Sequence, residues 1–271
     1  LRAVDIRLDV ESRTEPVKLV FLGDLHLGNA GTDEELVKQV AKRLEEPGTY
    51  WVDLGDACDF INVRDPRFDP TALPGWVEVC DLADLPSAQS RRYADIFKPV
   101  MSTCLVRLCG NHEGTICQKY ERDIYTELNR LVGLPRERAL GFGGFVHLRV
   151  YRQGSCSWTL TLFLHHGAGG GQLAGAKALR LERLPMAFEA DVFAVGHTHT
   201  KLVLQKRRVG LNPRGTKLID KPLIMVNVGA FMRAYTAQHD GYAERKMLYP
   251  QGLGPVELWI WPDKKDIKVV Q

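Results

Sequence analysis

No apolar run in these 271 residues comes near the roughly 20 that a helix needs to cross a bilayer. The N-terminal residues also lack the apolar stretch of a signal peptide, so a cytoplasmic location is expected. Charge of one sign is lacking too. The 36 basic and 33 acidic residues leave a net charge of +3, which gives no argument for a polyanionic partner. The six cysteines, at positions 58, 80, 104, 109, 117 and 156, form no C-x-x-C pair and no paired zinc spacing. Cys104 and Cys109 stand at odd separation on an expected strand and so face opposite ways. Reduced, mostly buried thiols are therefore expected, and a disulfide framework is not. Internal repeats, linkers and low-complexity tracts are absent as well. With 45% hydrophobic and 25% charged residues, an ordinary composition, the chain is expected to form one domain over residues 1–271.

What is present is a series of buried-strand patterns, most of them ending at a glycine and a polar side chain. Val17–Leu22 leads to Gly23-Asp24-Leu25-His26, and Tyr50–Leu54 leads to Gly55-Asp56. Cys104–Cys109 leads to Gly110-Asn111-His112-Glu113, Trp158–Leu164 to His165-His166-Gly167, and Val192–Val195 to Gly196-His197-Thr198-His199. A further strand is expected at Val4–Val10. A helix capped by Thr32, with Glu35 completing the capping box, carries an apolar stripe of Leu36, Val37, Val40, Ala41 and Leu44. A loop rich in Asp and Pro spans Asn62 to Pro74. Helical spacing returns at Ser87–Ser102, from Tyr120 to Val132, and near Gln172–Leu184. The second half turns β-rich, with Phe145–Tyr151, Leu202–Arg208, Pro222–Val228, Val256–Trp261 and Ile267–Val270 as further strands.

Taken singly, these motifs are bland: a lone D-x-H is usually a loop, a lone N-H a helix cap, G-D a turn. Together they offer carboxylates, imidazoles and an amide oxygen to two divalent cations, a set that suits manganese, iron or zinc better than calcium or magnesium. No cysteine belongs to any of them, which argues against structural zinc. Asp24 and His26, like His197 and His199, are two residues apart and share one side of an extended backbone.

The series D-x-H, G-D, G-N-H-E, H-G, G-H-x-H, running from Asp24 to His199, resembles the calcineurin-like metallophosphoesterase superfamily. The resemblance implies an α/β fold, a four-layer αββα sandwich of two mixed β-sheets face to face flanked by helices. It implies that Asp24, His26, Asp56 and His199 hold one cation and that Asp56 bridges to a second held by Asn111, His166 and His197. His166, directly before a glycine, is favoured over His165. Two cations about 4 Å apart would share a water, acidify it and supply hydroxide for attack on a phosphoester. His112 would contact the substrate and protonate the leaving oxygen. Asp59 matches the carboxylate that orients this histidine in Ser/Thr phosphatases, but also reads as a plain loop acid. The expected cofactors are two divalent cations, manganese first, with iron, zinc, nickel or cobalt as alternatives.

Where those phosphatases follow that Asp with Arg-Gly, this chain has Phe60-Ile61, so phosphoprotein hydrolysis is disfavoured. The expected activity is that of a phosphodiesterase or nuclease acting on nucleotides or nucleic acid. The alternatives are a phosphomonoesterase or pyrophosphatase for a small metabolite and, weaker, a non-catalytic interaction scaffold. Gly169-x-Gly171-x-x-Ala174 approximates a dinucleotide fingerprint without its downstream acid, and reads better as a flexible loop beside His166. The basic segment from Lys201 to Lys221 reads as a solvated hairpin in preference to a phosphate-attracting rim. The polar, aromatic stretch 233–249, with Tyr235, His239, Tyr242, Arg245 and Lys246, reads equally as a specificity loop and as a surface excursion.

Overall fold

The computed structural model describes residues 1–171, 173–212, 214–235, 244, 247 and 249–271; His239, Tyr242, Arg245 and Lys246 lie outside these. Eleven strands among the described residues form two mixed sheets. The five-stranded sheet runs β11 (Asp266–Val270), β10 (Val256–Trp261), β2 (Val17–Leu22), β3 (Thr49–Asp53), β4 (Cys104–Arg107), with β2, β3 and β4 parallel. The six-stranded sheet runs β1 (Arg2–Asp9), β5 (Gly143–Arg152), β6 (Ser155–His165), β7 (Val192–Val195), β9 (Leu218–Asn227), β8 (Leu202–Leu211), with β6, β7 and β9 parallel.

Alternation along the central strands builds the layers. Leu19 and Phe21 of β2 face inward and meet Val146, Leu148, Leu162, Ala194 and Val226 of the other sheet in one shared core. Val20, Leu22 and Trp51 face outward against α1 (Glu34–Arg43), α2 (Leu85–Phe97), α3 (Asn111–Tyr120) and α4 (Ile124–Val132), through Val37, Tyr93, Phe97, Ile116 and Leu128. On the far side, Phe163, Phe193 and Met225 pack against Leu181 of α5 (Ala174–Ala187). The order is helices, sheet, sheet, helix: a four-layer αββα sandwich. Burying each large apolar side chain between the sheets contributes about 1.5–3 kcal/mol, which makes the facing strands the rigid part of the molecule.

Several local expectations are corrected. Thr32 is not the cap of α1; Asp33 is, its carboxylate accepting from the Leu36 N–H at 3.2 Å. Thr32 instead donates its hydroxyl to the carbonyls of His26 (2.7 Å) and Leu25 (3.1 Å), which ties down the first motif loop. The helix expected over Ser87–Ser102 ends at Phe97, and a 3₁₀ turn with Pro99 follows over Lys98–Thr103. A helix that periodicity did not reveal, α3, begins at Asn111 itself, and a left-handed Glu121 breaks it from α4. Of the six thiols, Cys58, Cys104 and Cys109 are buried while Cys80, Cys117 and Cys156 are exposed, and none is bridged. Most of the basic segment lies on the β8–β9 hairpin, where Lys206 pairs with Glu182 and Arg207 with Asp220, both at 2.5 Å.

Candidate metal centre

Every residue of the proposed ligand set follows the carboxyl end of a strand, where loops from neighbouring parallel strands converge. Asp24 and His26 follow β2, Asp56 follows β3 and Asn111 opens the helix after β4. His166 follows β6, and His197 and His199 follow β7. Because the two sheets lie face to face, these ends meet at one edge of the sandwich.

The donor atoms gather in two groups. In the first, the Nε2 atoms of His26 and His199 are 3.0 Å apart, and His199 Nε2 lies 3.6 Å from Asp24 Oδ1. In the second, Asn111 Oδ1 lies 3.0 Å from His166 Nε2 and 2.7 Å from His197 Nδ1, and His166 Nε2 lies 3.3 Å from Asp56 Oδ2. The same Asp56 Oδ2 stands 4.0 Å from His26 Nε2, so one carboxylate oxygen faces both groups. Donors held about 2.1 Å from a common cation stand roughly 3.0–3.4 Å from one another, and the two groups have about that spread.

His166, not His165, is brought into the site. Its Nδ1–H donates to the Leu54 carbonyl at 2.8 Å, which leaves Nε2 as the lone-pair side facing Asn111 Oδ1 and Asp56. His165 Nδ1 accepts from the Gly167 N–H at 2.9 Å, and its ring stacks with Phe163 on the other face of the sheet. Near His112, the expected carboxylate contact takes another form. The ring Nδ1 bonds the Asp59 backbone carbonyl, while the Asp59 carboxylate stands 3.8 Å from that nitrogen and 3.5 Å from His26 Nδ1.

Extended backbone does not deliver these side chains. Asp24 (φ 53°), His26 (φ 50°), Asp56 (φ 54°), His197 (φ 69°) and His199 (φ 52°) are all left-handed, a conformation that costs non-glycine residues free energy and collects at functional sites. Side chains two apart thus reach one site through tight turns, because the chain must reverse within three residues of leaving the sheet. The adjacent glycines are needed for closeness: a Cβ on Gly110 would stand 2.1 Å from Asp56 Oδ1, and one on Gly196 would stand 2.8 Å from Asp24 Oδ2.

Supporting residues not read from the sequence complete the site. The buried Glu113 carboxylate accepts from the N–H groups of Ala57 (3.0 Å), Gly110 (3.0 Å) and Asp56 (3.2 Å), welding the second motif to the third. Its position as N3 after Gly110 is the capping-box signal that could have revealed this. Beneath Gly55, Asp53 Oδ1 accepts that residue's N–H at 2.9 Å, and Oδ2 accepts from Tyr93 Oη and Arg107 Nε, each at 2.8 Å. Arg107 also donates to Asn129 Oδ1 at 2.6 Å, and both it and Asp53 are 0% exposed. Asp24 accepts twice from the His197 N–H (3.0 and 2.8 Å), which links the two sheets' loops.

The electrostatics fit a cation. Burial, with Asp56 nearby, pushes the Asp24 carboxyl up to about 7. Burial opposes charge on His26 and His166, yet the surrounding carboxylates win: Asp59, Asp56 and Asp24 raise His26 to about 8, and Asp56 with Asp24 raises His166 to about 9. Buried carboxylates that draw protons onto buried imidazoles are groups that a divalent cation would satisfy directly, displacing those protons.

No protein-family model matches the sequence, and no match was found among curated proteins. Among solved structures, the chain is similar to a metallophosphoesterase from Sphaerobacter thermophilus (14% identity, 93% of this chain and 87% of that one, TM-score 0.37). It is also similar to a conserved uncharacterized protein, a predicted phosphoesterase, from Streptococcus pneumoniae TIGR4 (12% identity, 90% and 82%, TM-score 0.33). A third is the NAD nucleotidase of Haemophilus influenzae (10% identity, TM-score 0.43), of which 94% of this chain covers 49%. Likeness at this level says nothing of substrate; the side chains of the site carry the functional reading.

Proposed function

We propose that the chain is a dinuclear metal-dependent phosphoester hydrolase and, more narrowly, a phosphodiesterase or nuclease for nucleotides or nucleic acid. One observation carries the proposal: two complete donor groups share a single buried carboxylate oxygen, Asp56 Oδ2. Asp24, His26 and His199 would hold one cation, Asn111, His166 and His197 the other, and Asp56 both. When bound, the pair supplies Lewis acidity and an acidified water as nucleophile.

The chain's own residues do the rest. The Leu54 carbonyl fixes the tautomer of His166, and Asp59 stands where it can do the same for His26 Nδ1. His112 is anchored twice, by its N–H to Asp56 Oδ1 at 2.8 Å and by Nδ1 to the Asp59 carbonyl, so Nε2 is its reactive end. Burial, with His26 beside it, lowers the His112 pKa; an arriving anionic phosphate favours a second proton, placed on Nε2 for transfer to the leaving oxygen. Phe60, buried and apolar where a phosphate-gripping arginine would stand in the protein phosphatases, counts against a phosphoprotein substrate.

The test is turnover of manganese-supplemented protein on bis-(p-nitrophenyl) phosphate, p-nitrophenyl phosphate, cyclic nucleotides, and single- and double-stranded DNA, beside elemental analysis. Diester cleavage with close to two metals per chain is expected. Preference for the monoester would replace the diesterase reading. Less than one transition metal per chain after reconstitution would overturn the metal centre.

A further inference from the structure

The loop that follows Asp59 carries a cationic feature that the metal centre does not use. Asp65 is buried, its side chain 1% exposed. Its carboxylate accepts from the Arg67 backbone N–H at 2.9 Å and from Arg67 Nε and Nη2 at 3.0 Å each, a two-pronged grip on one edge of the guanidinium. Lys119 Nζ lies 3.5 Å from the same Asp65 Oδ2. The two cations, in contrast to the anion that holds them, are 46% and 48% exposed. Arg67 Nη1 donates to no side chain or carbonyl among the described residues. One buried anion thus presents two cations to solvent, leaving one positive charge in excess.

The placement points toward the site. Lys119 follows His112 by seven residues on α3, so the two share a helix face about 10 Å apart along the axis. Helical side chains lean toward the N-terminus, which carries the Lys119 ammonium back toward His112. Arg67, tethered beside it, is near enough to Asp59 and Asp56 for both carboxylates to favour its charge. Lys119 thus lies along α3 beyond His112, with Arg67 beside it on the same buried carboxylate.

Resting on the phosphoesterase reading, we propose that Arg67 and Lys119 bind a second phosphate of the substrate, next to the one that is cleaved, with Asp65 as the positioning residue. The substrate class is then one with more than one phosphate, whether an oligonucleotide strand or a nucleoside polyphosphate.

The experiment compares wild type, Arg67→Ala, Arg67→Lys and Lys119→Ala on three substrates: bis-(p-nitrophenyl) phosphate, an oligothymidylate and a nucleoside triphosphate. Metal content and circular dichroism serve as checks on folding. Each alanine variant is expected to raise KM about tenfold on the oligothymidylate, the triphosphate or both, with kcat and the single-phosphate substrate within about twofold; Arg67→Lys should recover part of the loss. Loss on the oligonucleotide alone assigns a strand, and loss on the triphosphate alone assigns a nucleotide. Equal loss on all three substrates, or none on any, overturns the proposal. A second readout needs no turnover. Anisotropy of a labelled oligothymidylate on chelator-treated protein at stepped salt should lose about one unit of log–log slope for each cation removed, and an unchanged slope counts against a strand. Should wild type cleave nothing yet bind the oligonucleotide through Arg67, the hydrolase reading falls and only the phosphate-binding role of Arg67 and Lys119 stands. Should it cleave phosphoesters with all KM values unchanged in the variants, the reverse holds.

Discussion

Four of the seven proposed metal-holding residues, Asp24, His26, Asp56 and Asn111, leave the five-stranded sheet, and three, His166, His197 and His199, leave the six-stranded sheet. The first sheet supplies every oxygen donor and one imidazole; the second supplies imidazoles alone. Their support differs as much. Behind the first group stand the Asp53–Arg107–Tyr93–Asn129 network and Glu113, all buried. Behind the second, Asn227 donates its amide to Thr198 Oγ1 and Lys177 donates to the Thr198 carbonyl at 3.3 Å, but the His197 N–H is held from across the gap by Asp24. Carboxylates close together in a buried site repel one another and must be fixed by many donors. Neutral imidazoles need only a tautomer and an angle. The five-stranded side is therefore the anchor, and the six-stranded side docks onto it.

Breaking the shared residue should have the largest effect. Asp56→Asn removes the charge on the carboxylate whose one oxygen faces both donor groups, and is expected to lower activity by more than the roughly 100-fold that loss of a supporting partner costs, with metal content falling below two per chain. Near-normal turnover and metal content in this variant would remove the bridging role. His112→Ala is expected to slow turnover about 10²–10⁴-fold with metal content unchanged, most for poor leaving groups. A uniform loss across leaving groups would show that His112 only binds.

Next, Arg107→Ala leaves Asp53 buried and uncompensated, and should destabilise the fold by about 3–5 kcal/mol, read from the urea midpoint. A loss below 1 kcal/mol would mean that the network is not the anchor described. The direct test of asymmetry pairs Glu113→Gln with Asn227→Ala. The first should weaken metal affinity about 10–100-fold, measured by competition with a chelator, and the second by less than about tenfold. Equal effects would erase the difference between the two sides.

Much of this was legible in the sequence, unevenly. Val17–Leu22, Val192–Val195 and Val256–Trp261 end where the hydrophobic pattern ends, because strands buried on both faces leave a continuous apolar run. The motif residues could be found because glycines and chelating side chains recur after each run. Resemblance, not spacing, singled out His166 over His165, and the hydrogen bond to the Leu54 carbonyl is the physical distinction that spacing could not show. Glu113 was read in its motif without a role, and Asp53 and Arg107 were passed over because a buried polar residue looks like any other polar residue until its partners, 22 to 54 positions away, are known. α3 was missed because its start is set by the Glu113 cap and its own apolar face is thin, with Ile116 the buried aliphatic side chain.

The sequence by itself determined the inventory: which strands would be buried, and which carboxylates, imidazoles and amide would stand at their ends. That much is local, since hydrophobic period and turn chemistry act within a few residues. Tertiary structure decided the grouping. Only the face-to-face packing of two sheets brings His26 Nε2 and His199 Nε2 to 3.0 Å across 173 residues, and turns Asp56 Oδ2 toward both groups. The left-handed backbone at Asp24, His26, Asp56, His197 and His199 is likewise unfavourable in isolation. It persists because the sandwich core and the buried network hold it there.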